Sequence, residues 1–105
     1  MILVVFEVSM RDGKTAAYFD FAAALKEHLA TVDGFISVER FQSLAEPGKY
    51  LSLSTWRDER AVAAWRENAH HRLAQAAGKR EIFSDFRIRV ANVLRDYTLA
   101  DRSAS

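Results

Sequence analysis

The spacing of apolar positions changes along the chain, and each change marks a new element. Residues 2–9, ILVVFEVS, are an almost continuous apolar run, which is typical of a strand covered on both faces. From residue 15 to residue 32, apolar side chains recur every three or four positions and predict an amphipathic helix with His28 beside its apolar stripe. Thr15 is the predicted N-cap of this helix, and Asp33-Gly34 is its predicted end.

The rest of the chain alternates between period two and helical spacing. Residues 35–43 and 49–56 predict two strands joined by a loop that contains the single proline. In the first of them, alternation places Phe35 on the same face as Ser37. A second helix is predicted from Asp58, its N-cap, to the neighbourhood of Gly78, and residues 83–97 alternate as a long fourth strand.

The element order is therefore βαββαβ. Four strands with two helices on one face predict an α+β fold, a ferredoxin-like sandwich, formed by residues 1–97 as a single domain. Residues 98–105 are predicted to be a polar, frayed tail. The apolar first strand and the length of the last one predict that a second copy covers the other sheet face, which gives a homodimer.

Composition and charge narrow the function classes. The net charge is only +1 over 105 residues, so we expect neither a nucleic-acid partner nor an anionic membrane surface. No apolar run approaches the roughly 20 residues that span a bilayer, and the start of the chain is interpreted as a strand and not as a signal peptide. The absence of cysteine is consistent with a predicted cytoplasmic location.

Residues 49–71 contain the best candidate for a site. Strand alternation places Tyr50, Ser52, Ser54 and Trp56 on one face of the third strand. Small hydroxyl side chains between two large rings leave space that a core strand would normally fill, so a pocket is predicted there. The second helix adds three candidates: Trp65 on its apolar stripe, with His70 and Asn68 on opposite flanks.

Each candidate has a structural interpretation beside the functional one. His70 is either a general base or ligand in the pocket or a boundary residue of the helix. Trp56 and Trp65 either stack on a flat aromatic substrate or anchor the core. Tyr50 either orients a phenol or is a half-buried sheet residue, and Asn68 is a weaker polar candidate.

No cofactor is predicted. The sequence contains no phosphate-binding glycine loop, dinucleotide fingerprint or nucleophile elbow. His70 and His71 point about 100° apart on a helix and are poorly placed to share a metal ion. If the protein oxidises a substrate, the reducing electrons would therefore come from that substrate.

Three features together resemble a known family. The βαββαβ order, the turn Asp33-Gly34-Phe35 and the strand-to-helix junction Trp56-Arg57-Asp58-Glu59 resemble the antibiotic biosynthesis monooxygenase domain of the dimeric α+β barrel superfamily. The resemblance covers residues 2–97. It implies a dimer whose sheets face each other as a barrel, with a pocket between helices and sheet in each protomer. It also implies one of several activities, among them cofactor-independent oxidation of polycyclic phenols to quinones and degradation of haem.

The resemblance can be followed residue by residue. In the quinone-forming enzymes, an asparagine stands four residues before the tryptophan that ends the third strand. Trp56 matches that tryptophan, but Ser52 replaces the asparagine and offers a hydroxyl instead of an amide. The haem-degrading branch needs a first-strand asparagine, which is absent, and a histidine ten residues after the tryptophan matched by Trp65, where Gln75 stands.

The expected function is a cofactor-independent monooxygenase that acts on a small aromatic or quinol-type substrate. His70, Trp56 and Ser52 are the expected catalytic residues, with Tyr50, Ser54, Trp65 and Asn68 binding the substrate. A haem-binding or haem-degrading protein is the second interpretation. A non-catalytic dimer that binds a small ligand is the third.

Overall fold

The computed structural model describes residues 1–75 and 82–101, and it describes side chains for 1–68 and 82–101. The six elements occur in the predicted order: β1 (Ile2–Met10), α1 (Thr15–Leu29), β2 (Phe35–Gln42), β3 (Lys49–Trp56), α2 (Glu59–Gln75) and β4 (Phe83–Asn92). The sheet order is β2-β3-β1-β4, and all neighbouring strands are antiparallel. The α+β, ferredoxin-like βαββαβ prediction is confirmed.

Both helices pack on the same face of the sheet, the face that carries the even-numbered residues of β1 and β3. One apolar cluster joins Val8 of β1 to Tyr18 and Ala22 of α1. A second cluster joins Trp56 of β3 to Val62 of α2. Separate clusters form at the two ends because the middle of β3 provides only Ser52 and Ser54 on this face, and their side chains add little apolar area.

The start of β2 contains an irregularity that alternation did not predict. The register with β3 shifts between Phe35 and Ser37, and Phe35 packs against the second cluster together with Val38. The prediction that Phe35 and Ser37 share a face is therefore wrong. An extra residue in one strand reverses the alternation on one side of the irregularity.

Two further predicted boundaries are wrong. β4 ends at Asn92 and not near residue 97, because Asn92 pairs with Ile2, where its partner strand β1 begins. The N-cap of α1 is Lys14 without a side-chain hydrogen bond, and Thr15 is the first helical residue.

The sheet face away from the helices is largely apolar at its centre. The odd-numbered positions of the two middle strands place Leu3, Val5, Leu51 and Leu53 there, all half-buried by their neighbours in the sheet. Phe41 of β2 shares this face, and 43% of it is exposed. Neither described helix packs on this side of the sheet. Within the described part of the chain, no helix is long and apolar enough to cross a membrane.

Candidate functional site

The turn before β2 and the junction after β3 are bonded to each other. The Arg57 guanidinium donates two parallel hydrogen bonds to the Asp33 carboxylate, each 3.1 Å long, and the Arg57 backbone N–H donates to the Gly34 carbonyl at 2.7 Å. Such fork-to-fork pairs fix orientation as well as distance. The two sequence segments that carry the family resemblance thus form one structural unit.

Asp58 completes this unit as the N-cap of α2. Its Oδ1 accepts the Ala61 backbone N–H at 2.9 Å, and its Oδ2 accepts Arg57 Nε at 3.2 Å. These bonds hold the pKa of the Asp58 carboxyl below its ordinary value, with the Ala61 N–H contributing most. The Arg57 hydrogen bonds likewise lower the pKa of Asp33. Both carboxylates are therefore ionised at neutral pH and bind the cation between them.

Trp56, directly before this junction, is held on several sides. It is 1% exposed, and its indole N–H donates to Ser54 Oγ at 2.9 Å. The Phe35 ring meets it edge-on at a centroid distance of 5.4 Å, and Trp65 stacks on it at 6.1 Å with an interplanar angle of 30°. The orientation of Trp56 is thus fixed by one hydrogen bond and two rings.

A histidine of α1 extends the pair of tryptophans to an aromatic row of three rings, Trp56, Trp65 and His28. The His28 ring lies 5.6 Å from the Trp65 ring at an interplanar angle of 34°, and Asn68 Nδ2 is 3.1 Å from His28 Nε2. A neutral imidazole can accept this amide N–H at Nε2 if it carries its own proton on Nδ1. His28 is the residue that the sequence interpretation missed. Its position beside the apolar stripe of α1 was the only available signal.

Tyr50 lies far from this aromatic row. It packs on Phe19 and Tyr18, with ring centroids 5.1 Å and 6.3 Å away, beside the other apolar cluster. Trp56 is six positions further along the strand, which corresponds to about 20 Å at roughly 3.3 Å per residue. The predicted pocket residues are therefore spread along β3, and one small ligand cannot touch both rings.

Ser52 lies between these two ends. In the sheet it is opposite Phe6 of β1 and Arg40 of β2. The side chain of His70, the predicted base, lies outside the described residues; its backbone belongs to α2. The structure thus brings together Ser54, Trp56, Trp65 and Asn68, places Ser52 beside them, and separates Tyr50 from them. The catalytic and binding roles of all these residues stay predictions.

Two observations concern other sites. Among residues 1–68 and 82–101, no group of three His, Asp or Glu side chains is placed to hold a metal ion. A shallow cavity of about 160 Å³ lies at the Tyr50 end of the sheet, lined by Glu7, Phe41, Gln42, Ser43, Lys49, Tyr50 and Leu51. Lys49 closes part of it, with Nζ 3.9 Å from Glu7 and 3.5 Å from Glu46. This cavity is distant from the tryptophans.

A four-stranded antiparallel sheet under two helices, with an aromatic row at the β3–α2 junction, defines a ferredoxin-like α+β protein. Comparison with known proteins identifies the family. The sequence profile described as "Antibiotic biosynthesis monooxygenase" matches residues 1–77. The chain belongs to the antibiotic biosynthesis monooxygenase family, as the resemblance predicted.

Two relatives share detectable sequence identity with this chain. The jasmonate monooxygenase ABM of Pyricularia oryzae is 40% identical over 93 residues, which are 89% of this chain and 43% of the relative. Protein SchA of Streptomyces halstedii is 31% identical over 70 residues, which are 67% of this chain and 18% of the relative. The chain thus spans less than half the length of either protein.

Solved structures share the fold at lower identity. A putative antibiotic biosynthesis monooxygenase from Deinococcus radiodurans superposes with a TM-score of 0.80 at 16% identity, covering 94% of this chain and 98% of that one. MhuD, in a variant with two manganese protoporphyrin IX molecules bound per active site, superposes with a TM-score of 0.69 at 16% identity, covering 93% and 99%. At these identities the likeness establishes the fold alone.

Proposed function

We propose that this protein is a monooxygenase that needs no cofactor and oxidises a small aromatic or quinol-type molecule in the space between helices and sheet. The observation that carries the proposal is the row formed by Trp56, Trp65 and His28 at the β3–α2 junction. Trp65 is the half-buried tryptophan of this row and offers a flat apolar face next to polar groups that can hold a ring hydroxyl, while the almost fully buried Trp56 lies behind it. Family membership supports oxygen chemistry as the reaction class.

In the proposed reaction, the substrate itself supplies the electrons. A base removes a proton from the phenol or activated CH group, and the resulting anion reacts with O₂. One oxygen atom enters the substrate as a carbonyl oxygen and the other leaves as water, so a CH₂ group that becomes C=O provides all four electrons. The protein's part is to deprotonate, orient and keep the anion from water.

The roles of the residues follow the sequence predictions. His70 is the proposed base. Trp56 and Trp65 form the apolar boundary, and Ser52 donates a hydrogen bond to substrate or oxygen. Ser54 and Asn68 already bind Trp56 and His28, so their proposed contribution is to position these rings as well as to contact the ligand. Tyr50 would contact only the far end of an elongated ligand.

Oxygen uptake tests this proposal. We expect the purified protein, without added flavin, metal or haem, to consume O₂ with anthrone or a dihydroxynaphthalene. Jasmonate, for which the Pyricularia oryzae relative is named, is a non-aromatic comparison compound, and uptake with jasmonate alone would contradict the aromatic substrate class. His70→Ala should lower kcat about 100-fold, the lower range for loss of a general base. The matched control is His71→Ala, because adjacent side chains on a helix point about 100° apart, and its kcat should change less than about fivefold. An equal loss in both variants would contradict the assignment of His70 as the base, and no uptake with any compound would contradict the proposal.

The alternatives give different results with the same samples. A haem-binding protein would shift the Soret band of added haem, and the shift would weaken in His70→Ala. A non-catalytic dimer that binds a small ligand would show quenching of tryptophan fluorescence by the aromatic panel, without oxygen uptake.

We also propose a homodimer that forms through the sheet face opposite the helices, in the cytoplasm. The apolar centre of that face and the exposed Phe41 support the interface. Beyond β4, Leu94 and Leu99 are 85% and 100% exposed. Contiguous exposed apolar surfaces, rather than single side chains, mark contacts with other chains, so the two leucines support the interface only together with the apolar sheet face.

The dimer proposal makes a direct prediction. Sedimentation equilibrium at micromolar concentration should give twice the mass of the chain, and Leu53→Glu should give the single mass because it buries a charge at the centre of the interface. Glu39→Gln, at an exposed position of the same face, is the control and should remain dimeric. A wild-type protein of single mass would contradict the interface.

A further inference from the structure

In the four described strands, a single charged residue lies on the helix side of the sheet. The register of the four described strands places Arg40 of β2 on this side. The other residues that face the helices are uncharged: Ile2, Val4, Phe6, Val8 and Met10 in β1, Phe35, Val38 and Gln42 in β2, Tyr50, Ser52, Ser54 and Trp56 in β3, and Phe83, Phe86, Ile88, Val90 and Asn92 in β4. A cation in such a layer needs a compensating partner.

The hydrogen bonds of Arg40 are incomplete. One terminal nitrogen, Nη2, donates to the Ala22 carbonyl of α1 at 3.3 Å. Its Nε is buried and has no hydrogen-bond partner among the residues that the structure describes. Within residues 1–68 and 82–101, no carboxylate lies within ion-pair distance of its guanidinium, although Arg57 and Lys49 both have such partners. A buried N–H that donates to nothing destabilises the folded protein, so an acceptor that reached it would bind favourably.

Arg40 has one small residue beside it in each layer. Across the strand pair it faces Ser52 of β3, and the carbonyl that it contacts in α1 belongs to Ala22. The apolar clusters lie to either side, one around Val8 and one around Trp56. Ser52 thus lies on the same sheet face as Arg40 and Trp56, between the guanidinium and the Trp56 end of β3.

We propose that Arg40 recognises a carboxylate on the substrate and so restricts the proposed monooxygenase to acidic aromatic molecules. The inference rests on the proposed function and adds the substrate class. The carboxylate accepts a charge-assisted hydrogen bond from Nε, the ring extends past Ser52 toward Trp56, and the base works at that distant end. Guanidinium and carboxylate match in charge and in planar geometry, which makes arginine the preferred partner for this group. Arg40 is a specificity residue and takes no part in proton transfer.

A matched pair of ligands tests this inference by binding, independently of turnover. The probes are 6-hydroxy-2-naphthoate and its methyl ester, which share the ring and the phenol and differ in the charge. Tryptophan fluorescence should give a dissociation constant about tenfold lower for the acid, the minimum expected from one charge-assisted hydrogen bond. Arg40→Gln should bring the ratio of the two constants to about one with little change for the ester, and Arg40→Lys should retain part of the preference.

Controls separate recognition from folding. Arg66→Gln removes an exposed arginine of α2 and should leave the tenfold ratio intact. Thermal unfolding of each variant shows whether it is folded, and affinity for the ester shows whether the pocket persists. Equal affinities of the wild type for acid and ester would overturn the inference, as would undetectable binding of both. If Arg40→Gln bound neither the acid nor the ester, the inference would also be overturned, because that result would show that Arg40 maintains the pocket and does not recognise the carboxylate. Acid preference without oxygen uptake would contradict only the monooxygenase proposal.

Discussion

Trp56→Ala is expected to lower the free energy of unfolding by about 3–5 kcal/mol, the range for deleting a large aromatic side chain from a core. Trp56 is almost fully buried and packs against Phe35 and Trp65 in the second apolar cluster. The substitution also leaves the Ser54 hydroxyl without the indole N–H that it accepts. Urea denaturation followed by circular dichroism measures the loss.

Two further variants show which property of Trp56 matters. Trp65→Ala should cost roughly half as much, because Trp65 is only half-buried and its removal leaves a smaller cavity. Trp56→Phe retains most of the apolar area and should cost about 1–2 kcal/mol for the smaller ring and the lost hydrogen bond. If Trp65→Ala were as costly as Trp56→Ala, Trp56 would not be the principal anchor of this cluster.

Gly34→Ala is expected to lower the free energy of unfolding by about 3 kcal/mol. Gly34 has φ = +87°, and a Cβ at this position would collide with the Cβ of Ala61 in α2. The left-handed backbone costs about 1–2 kcal/mol for a residue with a side chain, and the overpacking adds about 1–3 kcal/mol. Because both atoms are fixed to backbone, α2 has to move, and the Arg57–Asp33 fork is strained with it.

Gly48→Ala is the matched control. Gly48 has a similar φ of +77°, but nothing lies within 4 Å of a Cβ placed there. It should therefore show only the conformational cost of about 1–2 kcal/mol. The difference between the two variants in the same urea titration isolates the close contact with Ala61. Equal costs would mean that α2 accommodates the methyl group and that the contact does not fix the β3–α2 junction.

The elements of the fold were predictable because their periods are clear. Helical spacing correctly predicts that Tyr18, Ala22 and Leu29 are buried, and strand alternation correctly predicts that Tyr50 and Trp56 of β3 share one face. The irregularity at Phe35 and the end of β4 at Asn92 were not predictable from a single strand. Both depend on the partner strand, which determines the register and the length over which hydrogen bonds can form.

The candidate site was predictable only in part, for a similar reason. Alternation and helical projection place Ser54, Trp56, Trp65 and Asn68 on the correct faces, and the structure brings them together. They do not reveal distances between elements. His28 contacts Trp65 and Asn68 because α1 and α2 pack side by side. Likewise, Arg40 Nε has no hydrogen-bond partner in the described part of the chain because the fold places no acceptor next to it.

The central claim is that this chain inserts oxygen into an aromatic substrate without a cofactor. Turnover under ¹⁸O₂ tests it most directly. The protein is first treated with a metal chelator, no flavin or haem is added, and the product is analysed by mass spectrometry. We predict one ¹⁸O atom in each carbonyl product, with the second oxygen released as labelled water. A product labelled only from H₂¹⁸O, or formation of product only after a flavin, metal or haem is added, would contradict the claim.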